Sequence, residues 1–210
     1  MNNNDLFEKT PISKAYFKLA LPVVLSMVIS LVYNMVDTYF VAQTQNMNLV
    51  AGVSLCAPIF TLMIALGDIF GIGGSSVISR LFGQKQDKEG KNVSGFCFYS
   101  AIICGILISI LMLIAKDPIL TLLGTNKATL PYASQYYTYM ALGATLIIVS
   151  LTPSNLMRTE GLATESMLGT ITGSIVNIIL DPIFINIIGF HGAAIATLIS
   201  QIICLAFMCI

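Results

Sequence analysis

SIVNIILDPIFINIIG, residues 174–189, decides how this chain has to be read. It is almost wholly aliphatic and aromatic, yet it carries a carboxylate at Asp181, an amide one helical turn earlier at Asn177, and Pro182 directly after the acid. The apolar run around it reaches from about residue 163 to 188. At 1.5 Å per residue, that length crosses a hydrocarbon core of about 30 Å.

Five more segments of this kind flank it, at about residues 15–42, 49–81, 93–115, 131–150 and 192–210. The composition agrees: 56% of the 210 residues are hydrophobic and 10% are charged, against about 25% charged in an ordinary soluble domain. The mean hydropathy is +0.87. A water-soluble domain of this size would lack the polar surface to cover itself, whereas a bilayer suits it. Strands are excluded because an open sheet edge is unsatisfied in lipid and the segments are too long for barrel strands. The expected fold class is therefore an all-α integral membrane protein with six transmembrane helices. The formal net charge of zero and the absence of a basic, aromatic-interleaved patch argue against nucleic acid as a partner. The first apolar run is too long for a signal-peptide core, so it reads as a retained helix after a polar segment at 1–14. The five cysteines (Cys56, Cys97, Cys104, Cys204 and Cys209) lie in apolar stretches without a C-x-x-C pair, which supports neither a zinc site nor a disulfide framework.

Basic residues orient the bundle. Lys9, Lys14, Lys18, Arg80, Lys85, Lys88, Lys91 and Arg158 fall on one side, and only Lys116 and Lys127 on the other, which puts the N-terminus in the cytoplasm. The sixth segment is still apolar at Ile210, so a longer protein is expected, of which this is a part.

Acids inside hydrocarbon are costly and ask for a role. Asp181 falls seven residues from the outer end of its helix and Asp37 five residues from the end of the first, depths of roughly 10 Å and 8 Å. Asn177 and Asn34 share a helix face with these acids, four and three residues before them. If the first and fifth helices are neighbours, these groups form an oxygen-rich pocket suited to a proton or to a hard cation such as Na⁺. Asp68 lies among Gly67, Gly71, Gly73 and Gly74, a run that suggests close helix packing or a break in the second helix. Pro22, Pro58 and Pro182 each free a carbonyl four residues earlier if they lie inside helices, for Pro182 that of Ile178 within the proposed pocket. Gly192, Ala193, Ala196, Thr197 and Ser200 give the sixth helix a small-residue face for packing, from which the Thr197 hydroxyl could also reach a cation. Tyr132, Tyr136, Tyr137 and Tyr139 read first as an interfacial aromatic belt, and second as the lining of a substrate path. His191 receives no role.

N-x-x-D at Asn34 to Asp37, S-R-L-x-G at Ser79 to Gly83, R-x-x-G at Arg158 to Gly161, N-I-I-L-D-P at Asn177 to Pro182 and G-A-A-I-A-T at Gly192 to Thr197 follow one another in order. Together they resemble the N-terminal half of bacterial multidrug and toxic compound extrusion (MATE) transporters. The resemblance implies one six-helix lobe of a twelve-helix carrier in the bacterial inner membrane. Such a carrier exchanges H⁺ or Na⁺ for organic cations by alternating access, with no enzyme activity and no cofactor beyond the coupling ion. It also implies a cation or proton cluster of Asp37, Asn177, Asp181 and Thr197, with Asn34 beside it. Pro22 becomes a bend point of the first helix, with Pro182 as a second, and Tyr136, Tyr139 and Asp68 become candidates for the cavity lining. The partner it calls for is the second lobe, absent from this sequence, or a second copy. Three other classes stand beside it. A lipid-linked oligosaccharide flippase of related architecture would call for mid-membrane basic residues, which are missing. A non-transporting assembly subunit is kept open by the missing lobe. An intramembrane aspartyl protease would need G-x-G-D, which Ala65-Leu66-Gly67 before Asp68 does not supply.

Overall fold

The computed structural model describes residues 11–43, 46–189 and 191–209. Most of the segment expected at 1–14, Lys9 included, lies outside the described residues. The described chain is helical: α1 (Ile12–Ala42), α2 (Met47–Leu55), α3 (Ala57–Gly83), α4 (Asp87–Ile114), α5 (Lys116–Leu122), α6 (Leu130–Thr159), α7 (Ala163–Ile188) and α8 (His191–Cys209). Five spans are long and apolar enough to cross a membrane, α2 and α3 together counting as one, and α8 supplies a shorter apolar helix.

Three boundaries differ from the sequence reading. The second span, expected to be continuous over 49–81, breaks at Cys56, so that Pro58 sits in the first turn of α3 instead of inside a helix. A proline there sacrifices no helical hydrogen bond, whereas in mid-helix its ring would clash with the carbonyl four residues back. The upstream piece is well started, because the Asn46 side chain accepts hydrogen bonds from the backbone N–H groups of Asn48 (3.1 Å) and Leu49 (3.2 Å). The third span, expected from 93, begins at Asp87, where Asp87 and Glu89 occupy the first turn; acids are favoured at the positive end of the helix dipole. The fourth, expected to stop at 150, runs through Pro153 to Thr159. Its tail is polar in sequence, but Thr152 and Ser154 are buried against other helices.

Helix α6 is the hub, packed on α2, α3, α4, α5, α7 and α8, with its broadest contacts to α3 and α4. Glycines set that closeness. A Cβ at Gly71 would lie 2.6 Å from Asn155 Nδ2, and one at Gly105 would lie 2.8 Å from the Thr145 Cα. Gly67, Gly71 and Gly74 of the run around Asp68 therefore serve packing, Gly73 has open space beside it, and α3 continues through the run unbroken. The small-residue face of α8 does the same work against α7, where a Cβ at Gly192 would collide with the Phe184 backbone. Helix α1 packs chiefly on α7, which brings Asp37 and Asp181 onto facing elements.

Candidate cation site and lobe cavity

Helices α1, α3, α6, α7 and α8 line a partly open cavity of about 200 Å³. Its wall carries Tyr33, Asn34, Ser150, Ser174, Asn177 and Gln201 among apolar side chains. Continuing one turn outward from that wall leads to the acids, since Asp37 follows Tyr33 and Asp181 follows Asn177 by four residues.

Asp181 is completely buried and Asn177 is 1% exposed. The Asn177 amide is satisfied when its nitrogen donates to Asp181 Oδ2 (2.8 Å) and its oxygen accepts from the Thr197 backbone N–H (3.2 Å). The reverse orientation sets its oxygen against other acceptors. Thr197 donates its hydroxyl to the Ala193 carbonyl at 3.0 Å and lies within electrostatic reach of Tyr33. Asp37 lies within electrostatic reach of Asp181, and Tyr136 within reach of both. Oδ1 of Asp37 and Oδ1 of Asp181 are buried without a hydrogen-bond partner among the described residues. Buried polar atoms are nearly always partnered. Two such oxygens on carboxylates within electrostatic reach of each other make a place where a proton or a cation lowers the free energy. Among the described residues no three His, Cys, Asp or Glu side chains converge. The donors are two carboxylates with amide and hydroxyl oxygens, a hard set that fits H⁺ or Na⁺ better than a transition metal.

The structure thus brings Asp37, Asn177, Asp181 and Thr197 together. Asn34 is placed differently: its amide donates back to the Ser30 carbonyl at 2.7 Å, and it lines the cavity below the acids. Pro22 is buried within α1 and Pro182 lies within α7, both helices running on through them. Asp68 is outside the cluster and accepts from Asn155 Nδ2 at 3.3 Å. The aromatic-belt expectation needs correcting. Tyr137 is fully buried and donates to the Met112 carbonyl (3.0 Å), Tyr132 accepts from Asn46 (3.0 Å), and Tyr136 stands at the acids. Tyr139 is half-buried on α6. The sequence reading missed Tyr33, although its position four residues before Asp37 already put it on the acid's face.

The family model described as MatE matches residues 22–183. The chain belongs to the MatE family. Over 200 residues it is 34% identical to the multidrug export protein MepA of Staphylococcus aureus, an alignment covering 93% of this chain and 44% of the relative. With MepA of Staphylococcus saprophyticus the identity is 33% over 208 residues, covering 97% and 46%. A solved structure described as the outward-facing conformation of a multidrug resistance MATE family transporter of the MOP superfamily superposes with a TM-score of 0.92 at 32% identity. It covers 99% of this chain and 46% of the transporter. The chain spans about half the length of the curated relatives it matches, and its fold is the N-terminal lobe of the MATE architecture, a multi-pass membrane bundle.

Proposed function

We propose that this lobe works in cation-coupled antiport, in which H⁺ or Na⁺ entering the cell drives organic cations out by alternating access between it and a second lobe. The membrane is the bacterial inner membrane, with the N-terminus in the cytoplasm. The observation that carries the reading is the pair of partnerless buried oxygens on Asp37 and Asp181, held beside Asn177 and Thr197 at one end of a polar cavity. Two facing carboxylates in a low dielectric repel each other until one is protonated or a cation lies between them, so loading that locus changes how tightly α1 is held to α7. The names of the relatives, multidrug export proteins, support the export of drugs. The test is Asp181→Asn in the full transporter that carries this lobe, with ethidium efflux driven by an imposed H⁺ or Na⁺ gradient. Efflux should be lost while expression and thermal stability are kept. Undiminished gradient-driven efflux would sink the reading, and the gradient that drives the unmodified protein names the ion.

A further inference from the structure

The cavity has a second end of opposite chemistry. Arg158, in the last turn of α6, turns inward: Nε donates to Ser166 Oγ (3.2 Å) and Nη2 to Ser26 Oγ (3.4 Å). Ser166 Oγ donates to the Ser154 carbonyl (3.0 Å) and lies 3.1 Å from Ser154 Oγ. Ser26, Ser154 and Ser166 are all buried. Ser154 lines the cavity, and the other three sit one turn beyond residues that do: Ser26 before Ser30, Arg158 after Ser154, and Ser166 before Thr170. The chain directions of α1, α6 and α7 place all of these at the α6–α7 turn, the end opposite Asp37 and Asp181. A basic residue in the last turn of a helix is common, because it meets the negative end of the dipole. That alone does not direct the guanidinium across to α1, a helix that otherwise packs chiefly on α7.

We propose that Arg158, Ser26, Ser154 and Ser166 form a hydrogen-bonded floor that seals the cavity at the α6–α7 turn and confines cation exchange to the acid end. The guanidinium holds its donors in a rigid fork and closes the floor by hydrogen bonds, while the Asp68 carboxylate, within its electrostatic reach, balances part of its charge. Its bond to Ser26, four residues past Pro22, also fastens α1 to α6 at that level. The identity of the excluded ion rests on the antiport reading; the seal rests on the geometry.

Cys204 lines the cavity and serves as the reporter. In the full transporter, in right-side-out and inverted vesicles, a membrane-impermeant thiosulfonate is applied and Cys204 modification is read by peptide mass spectrometry. In Arg158→Gln, labelling from the α6–α7 side should rise at least about tenfold, the population shift expected when charge-assisted hydrogen bonds are lost, and labelling from the other side should not change. Passive H⁺ or Na⁺ leak without substrate should rise with it. Ser26→Ala, which keeps the charge and the fold but removes one tie, should give a smaller rise on the same side, and decides the matter if Arg158→Gln does not fold. Greater labelling without a leak of either ion keeps the seal and counts against cation antiport. Unchanged labelling from the α6–α7 side in a folded variant overturns the seal, whatever efflux does.

Discussion

Gly105 and Gly95 lie on the same helix, and a methyl group added to each should act with opposite sign. At Gly105 a Cβ would meet the Thr145 Cα at 2.8 Å and its Cγ2 at 3.2 Å, while at Gly95 nothing lies within 4 Å. The near atom at Gly105 is backbone of α6, so no rotamer change relieves it and the two helices must separate by several tenths of an ångström. Overpacking of this kind costs about 1–3 kcal/mol. Replacing glycine by alanine in a helix interior returns about 1 kcal/mol at either site. Gly105→Ala should therefore lose up to about 2 kcal/mol, and Gly95→Ala should gain up to about 1 kcal/mol. Reversible unfolding of the full protein in mixed micelles, titrated with SDS, reads both. If Gly105→Ala proves as stable as Gly95→Ala, the claim that glycine sets the α4–α6 distance is wrong.

Two further outcomes follow from single side chains. Asn46→Ala removes the cap of α2 and the bond to Tyr132, at a cost of about 1–2 kcal/mol; amide exchange at residues 48–50 should quicken roughly tenfold, and unchanged protection would mean the cap contributes nothing. Tyr33→Phe keeps the ring but deletes the hydroxyl that stands within reach of Thr197 and both acids; the coupling-ion concentration for half-maximal efflux should rise by about tenfold, and an unaltered value would separate Tyr33 from ion binding.

Much of the lobe was legible because hydrocarbon is a simple solvent. A span must be about 20 apolar residues long and satisfy its own backbone, so length and hydropathy mark the helices. Length and hydropathy place the fifth span at about residues 163–188, and α7 runs Ala163–Ile188. The same rule fails where polar residues are buried by protein instead of exposed to water. Thr152, Ser154 and Arg158 resemble a loop in sequence, yet they form the last two turns of α6. Periodicity could pair Asn177 with Asp181 on one face, but it could not show that Asn34 bonds to its own helix, that Tyr137 is a core residue, or that Tyr33 reaches Thr197.

Sequence alone therefore determined the class, the spans and the acids worth explaining, because the energetic cost of each follows from its own segment and the surrounding lipid. Tertiary structure decided which of those acids meet, which tyrosine joins them, and that Arg158 stands at the other end of their cavity. Those relations depend on how α1, α6, α7 and α8 pack, and the approach of helices is set by glycines whose neighbours lie far away in the chain.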